Sequence, residues 1–434
     1  LPVHGPTQRV TQDDYVAEGR PRDEYLPAVR FDFFPFGGLN RPVHLCVLPK
    51  HRLLSLRLTP DIDAKDGVLR VEAEARGVAR LKVRVASCGA DLSAEIAGSR
   101  GEVTLRIPNC RFWCPDDPAL YHVIVTAYSD EGQVADQYDT TTGIRTVRVD
   151  ANRILLNGQP ILLRGFGKHE DIPIQGRGLN LPWMVKDFML LKWIGANSVR
   201  TAHYPYAEEF YDFADRAGIM VIDEVFSINL DFRKVTKVDF DAHCQAVTAL
   251  VARDYNHPCV IAWSLANEPG YLGESCYREA ARPYWRALFA HARAADATRP
   301  LTHANVQYAG LADPAFEFAD FLSINRYYGW YSNPGQIEAG VSALRQDMDA
   351  LAQNHDKPIF VSEFGADAMA GLHATVPQMF TEEYQADLIE AYWREIERHA
   401  YCVGGHVWNF ADFRTAQHSR RAVMNLKGIF TRSR

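Results

Sequence analysis

The chain has 434 residues, 47% of them hydrophobic and 23% charged, with a formal net charge of −7. That length asks for two or three domains rather than one core, and the acidic balance offers nothing to nucleic acid or to an anionic membrane. No apolar run approaches the roughly 20 residues of a membrane span, and no basic-then-apolar leader opens the chain at Leu1-Pro2-Val3-His4.

Residues 1–50 are rich in Pro, Gly and charge and end in Phe31-Asp32-Phe33-Phe34 and Val43-His44-Leu45-Cys46-Val47-Leu48. This reads as the last piece of a β domain. Residues 51–147 carry short period-2 runs such as Val68–Ala73, Leu81–Val85 and Tyr121–Ala127 between turn signals, with no helical pattern. A small immunoglobulin-like β-sandwich is expected there.

From residue 148 the rhythm becomes strand, helix, strand. Ile161–Phe166 leads to a helix over Trp183–Trp193, and Asn197–Arg200 to a helix over Glu208–Ala217. Ile219–Glu224 precedes Ala242–Asp254, and Val260–Ser264 precedes a long helix ending near Ala295. Leu301–Asn305 and Phe321–Asn325 follow, then Ile359–Glu363 with the helix Glu382–His399, then Val403–Phe410. Alternation of this kind predicts a parallel (β/α)8 barrel over 148–434. No final helix is expected after the eighth strand.

The eight cysteines show no CxxC pair, and Cys88, Cys110, Cys244 and Cys402 lie in apolar or strand-like surroundings. Buried reduced thiols are expected. With no Asn-x-Ser/Thr sequon, the expected location is cytoplasmic. No spacing of His and carboxylates suggests a metal site, and no cofactor is expected.

Two glutamates stand out. Glu268 closes the fourth barrel strand in Ser264-Leu265-Ala266-Asn267-Glu268-Pro269, and Glu363 closes the seventh in Ile359-Phe360-Val361-Ser362-Glu363. A lone Glu before Pro is often just a charge at a helix N-terminus. A second Glu on the same rim, with Trp408-Asn409 ending the eighth strand, is a different matter. Side chains at that rim face a shared cleft, and two carboxyls across a cleft are the equipment for splitting a glycosidic bond.

Longer stretches carry a family resemblance. Gly165-Phe166-Gly167-Lys168-His169-Glu170-Asp171, Gly195–Glu209, Asn325-Arg326-Tyr327-Tyr328-Gly329-Trp330-Tyr331, Val407–Phe413 and Asn425–Arg432 together resemble glycoside hydrolase family 2 over nearly the whole chain. Within it they resemble the members acting on β-D-glucuronides. The resemblance implies a retaining double displacement releasing glucuronic acid and aglycone, with Glu268 as acid/base and Glu363 as nucleophile. It assigns Asn425 and Lys427 to the C6 carboxylate, with Arg421 as helper, and positions i and i+2 of an extended loop do point to one side. Asn267 is implied at the 2-hydroxyl, Trp408 beneath the sugar, Tyr327 and Tyr331 as walls, and Asn325 orienting Glu363. His169 and Asp32 are implied at sugar hydroxyls, while His203 stands between site wall and core. A non-proline cis bond is implied at Trp408-Asn409, and the resemblance further implies a homo-oligomer, dimer or tetramer.

Departures are also visible. The segment after Asp223-Glu224-Val225-Phe226 has no long insertion, so an open cleft is expected. Ser362-Glu363-Phe364 replaces a Glu-Tyr step, removing a phenol that could bond the nucleophile. Most of an N-terminal jelly-roll-like β domain and the last barrel helix are expected to be missing. Alternatives left open are a β-galacturonidase or relaxed hexuronidase, a neutral-sugar hydrolase such as a galactosidase, and a non-catalytic carbohydrate-binding fragment.

Overall fold

The computed structural model describes residues 32–434 except 35, 88–89, 233, 271–274, 416–420 and 422–423. Seven antiparallel strands come first: β1 (Arg52–Asp63), β2 (Asp66–Arg76), β3 (Arg80–Ser87), β4 (Ala90–Ala97), β5 (Arg100–Ile107), β6 (Tyr121–Tyr128) and β7 (Val134–Thr142). They form two sheets, β1-β2-β5 and β4-β3-β6-β7. Alternate residues turn inward because strand side chains have period 2, so Leu69, Val71 and Ala73 of β2 meet Leu81, Val83 and Val85 of β3 in one core.

A three-stranded ribbon, β8 (Val147–Asp150), β9 (Arg153–Leu156) and β10 (Gln159–Pro160), leads into the barrel. The barrel closes through β11 (Leu163–Gly167), β12 (Ser198–Arg200), β13 (Met220–Glu224), β14 (Val260–Asn267), β15 (Leu301–Asn305), β16 (Leu322–Asn325), β17 (Ile359–Phe364) and β18 (Cys402–Val407), in that order. Adjacent strands are parallel. Every residue of β14 is buried, as expected for a parallel strand covered on both faces.

The helices are α1 (Leu181–Trp193), α2 (Glu208–Ala217), α3 (Lys237–Asp254), α4 (Ser275–Ala295), α5 (Ile337–Asn354) and α6 (Glu382–Arg398). Helix α3 starts five residues before the expected Ala242 because Thr236 and Asp239 form a reciprocal capping box. Helix α5 was not read from the sequence; it buries Gly340, Leu344, Met348 and Leu351 on one face. After β15 two 3-10 turns, 307–312 and 314–317, stand where a helix would. Beyond β18 a short pair, β19 (Phe413–Arg414) with β20 (Met424–Asn425), folds back over the rim. No helix of the described residues is long and apolar enough to cross a membrane.

Residues 43–48, within the stretch read as the last piece of a β domain, form no strand and are exposed. The described part of Phe31–Phe34 is a bend: Phe33 is buried beside His169 and Tyr204, at ring separations of 5.0 and 5.6 Å, and the Phe34 N–H donates to the Arg414 carbonyl at 2.8 Å. Residues 1–31 and Cys88 lie outside the described residues. Cys46, Cys110, Cys114, Cys244, Cys259 and Cys402 are free thiols, Cys46 exposed.

Candidate active site

The barrel's C-terminal rim gathers the polar residues that end its strands. Glu363 is buried in β17. Its Oε2 accepts from the Tyr327 hydroxyl at 2.6 Å and its Oε1 from the Arg200 guanidinium. Arg200 ends β12 and also donates to both oxygens of Glu224, at 2.9 and 2.7 Å, and to Asn267 Oδ1 at 3.4 Å. Glu224 ends β13 and is further held by His203 Nδ1 at 2.8 Å and the Ser264 hydroxyl at 2.7 Å. Burial alone would raise the Glu224 carboxyl, yet Arg200 and His203 bring it down to about 2. One buried guanidinium thus spans two carboxylates, the arrangement in which burying charge is tolerable.

Glu268 follows β14 directly, at φ 46°. Asn325 Nδ2 donates to Glu268 Oε1 at 3.0 Å and to Asn267 Oδ1 at 3.2 Å, while its own oxygen accepts from Ser362 at 2.8 Å. The expected partner of Asn325 was Glu363; its amide leans across the barrel to Glu268 instead. Loss of the phenol at the Ser362-Glu363-Phe364 step is likewise made good from the loop after β16, by Tyr327, while Phe364 stacks on Tyr392 at 5.2 Å.

Burial lifts both glutamates. It pushes Glu363 up to about 8, against the pull of Arg200 and with the Glu268 charge adding to the rise. Desolvation also raises Glu268, opposed by the Asn325 hydrogen bond. What separates the two is their donors: a guanidinium and a phenol on Glu363 favour its ionised form, whereas among the described residues Glu268 has one amide N–H.

The floor is Trp408, buried and joined to Asn409 by a cis peptide bond; Ala202-His203 is a second non-proline cis bond. His203 lies flat against Trp408 at 5.0 Å and 15°, and its Nε2 is 4.0 Å from Glu363 Oε1. It therefore belongs to the site wall rather than to the core alone. Gly167 permits the close approach of Trp408, because a Cβ there would lie 2.5 Å from the indole. His169 is buried, with Nδ1 3.1 Å from the Tyr204 hydroxyl and Nε2 without a partner among the described residues. Burial first, then the nearby cations, hold it neutral.

A charged cluster closes one end. Asp32 accepts from Arg421 at 2.6 and 3.0 Å and from Asn425 Nδ2 at 2.8 Å. Lys427 Nζ donates to Asp367 Oδ2 at 2.6 Å and to the Tyr331 hydroxyl at 2.9 Å. Arg421 also reaches that hydroxyl, at 2.7 Å. Asn425 and Lys427 are fully buried and tied to each other by Lys427 N–H to Asn425 Oδ1 at 3.0 Å. All thirteen residues singled out from the sequence, His203 included, thus lie at this rim. Sequence reasoning missed Arg200, Glu224 and Asp367. The first two end barrel strands, and a charged side chain closing an otherwise apolar strand was the signal available.

Among the described residues, Asp215, His257 and Cys259 lie close enough to share an ion. The Asp215 oxygens are already taken by His257 Nδ1 at 2.6 Å and the Cys259 N–H at 2.9 Å, and burial pushes the Cys259 thiol up. A thiol must ionise to bind metal, so the cluster is a structural brace.

A closed barrel with paired rim carboxyls over an indole floor is the layout of a sugar-cleaving enzyme, and the comparisons agree. The family model "Glycosyl hydrolases family 2, TIM barrel domain" matches residues 147–434, and "Glycosyl hydrolases family 2" matches 51–145. The chain belongs to glycosyl hydrolase family 2. It is 40% identical over 432 residues to a β-glucuronidase of Paenibacillus borealis, covering 97% of this chain and 71% of that one. To the β-glucuronidase of Homo sapiens it is 38% identical over 427 residues, covering 95% of this chain and 64% of the relative. Among solved structures it is similar to the Dictyoglomus thermophilum β-D-glucuronidase, with TM-score 0.88, 36% identity, and coverage of 96% and 72%. It also matches the Ruminococcus gnavus β-glucuronidase in complex with D-glucuronic acid, with TM-score 0.85, 36% identity, and coverage of 93% and 69%.

Proposed function

We propose that this chain hydrolyses β-D-glucuronides with retention of configuration. The observation that carries the substrate is the buried Lys427–Asn425–Arg421 cluster beside the paired glutamates. A glucuronide differs from a glucoside by a carboxylate at C6, and such a group would take hydrogen bonds from these donors. Relatives named β-glucuronidase, one of them solved with D-glucuronic acid, support the same substrate.

In the first step a Glu363 oxygen attacks the anomeric carbon as the glycosidic C–O bond breaks, and Glu268 gives its proton to the departing aglycone oxygen. Arg200 and Tyr327 favour the ionised form of Glu363 against the effect of burial, and aim it. In the second step Glu268 takes a proton from water, whose oxygen displaces Glu363 and returns its carboxylate. Asn267 would bond the 2-hydroxyl, and Trp408 with His203 would seat the ring. His169 Nε2 and Asp32 would meet remaining hydroxyls, and their contacts at C4 would separate glucuronide from galacturonide. Glu268→Gln should slow aryl glucuronides with poor leaving groups far more than those with good ones, since only the former need its proton. Glu363→Gln should abolish both. Equal losses across leaving groups for the two variants would reverse or remove the assignment.

A further inference from the structure

Lys427 is a buried ammonium whose surroundings are built before any substrate arrives. Its Nζ lies 4.7, 5.1 and 5.8 Å from the ring centroids of Tyr331, Trp330 and Tyr327, a cage that favours a cation. Two of its three N–H groups go to Asp367 and Tyr331, which leaves one for a ligand. Asp367, itself buried, supplies the counter-charge at 2.6 Å. Its other oxygen accepts the Leu426 N–H at 2.9 Å, and the Ala368 N–H donates to the Leu426 carbonyl at 2.9 Å. The loop after β17 therefore grips the backbone between Asn425 and Lys427 as well as the Lys427 head. Arg421 leans on the same carboxylate at 3.5 Å.

We infer that Asp367 is a specificity-determining positioning residue: it fixes the Asn425–Lys427 step and the Lys427 ammonium so that the remaining N–H meets a uronate carboxylate. It acts through Lys427 and not on the reacting atoms. The inference rests on the glucuronide reading above. Tying Asp367 to the nucleophile strand also means that the C6 pocket and Glu363 are set by one element, four residues apart in sequence.

The test is a double-mutant cycle on the folded chain with aryl β-glucuronide and the matching β-glucoside. Asp367→Ala should lower kcat/KM for the glucuronide about 30- to 300-fold, as expected for loss of a buried charge partner. The loss should fall mainly on KM, with glucoside turnover changed by less than about threefold. Asp367→Asn keeps the shape and should lose less; it carries the test if the alanine variant fails to fold. Because Asp367 acts through Lys427, the double variant Asp367→Ala/Lys427→Ala should be no worse than Lys427→Ala alone. Additive losses, or parallel losses on both substrates with the fold intact, would overturn the inference. Collapse of the glucuronide preference in Lys427→Ala but not in either Asp367 variant would overturn it while leaving the glucuronide reading standing. A wild-type chain that turns over both substrates equally would overturn both.

Discussion

At the residue scale, Glu363 is caught between burial and its donors. Burial and the neighbouring Glu268 push its carboxyl up to about 8, while Arg200 and the Tyr327 hydroxyl pull it down. A hydrogen bond to an ionised group is worth about 1.5–3 kcal/mol. Tyr327→Phe removes one, so Glu363 should titrate still higher. Activity that needs the ionised form is present above that pKa and lost as pH falls through it. The acid limb of the kcat/KM profile should therefore move to higher pH, with a loss of about 10- to 100-fold at neutral pH. A pH–rate profile checks this, and an unmoved or lowered acid limb would show that the phenol does not hold the charge. Both glutamates were legible because each closes a strand-like run in the sequence. The partner of Asn325 was not, because a strand end shows where a side chain emerges but not across which neighbour it leans. Asp367 was illegible for a related reason: its meaning lies in Lys427, 60 residues away.

At the element scale, the short barrel strands leave no slack. Gly165 of β11 pairs with Ser198 of β12, and a Cβ on Gly165 would lie 1.7 Å from the Ser198 carbonyl oxygen. That oxygen is backbone and cannot swing away. Gly165→Ala should cost about 3 kcal/mol or more by overpacking, read as a drop in denaturant midpoint. Gly270→Ala, whose added Cβ meets nothing within 4 Å, should stay within about 0.5 kcal/mol. Equal midpoints for the two variants would contradict the packing described. The barrel strands and five of the six helices were readable from apolar runs and their period. Helix α5 was not, although its burial pattern is regular.

At the scale of the whole molecule, the sandwich is bolted to the floor of the barrel opposite the site. Trp113 is fully buried in the barrel's core and donates to the Asp215 carbonyl at 2.8 Å. Arg145 donates to the carbonyls of Pro258 at 3.1 Å and Val260 at 2.8 Å, at the foot of β14. The proposed chemistry sits at the other end of the same strand, where Glu268 emerges, so the sandwich supports the strand that presents the proposed acid/base. The β and barrel architectures were legible in the change of rhythm near residue 148; the joint between them was not, because it is made by single side chains. The most direct test of the whole account is turnover by this chain of an aryl β-glucuronide beside the matching β-glucoside and β-galacturonide, in wild type and Lys427→Ala. The account predicts a strong glucuronide preference, about a hundredfold or more over the glucoside, that Lys427→Ala abolishes. Equal turnover of glucoside and glucuronide, or a preference untouched by Lys427→Ala, would contradict it.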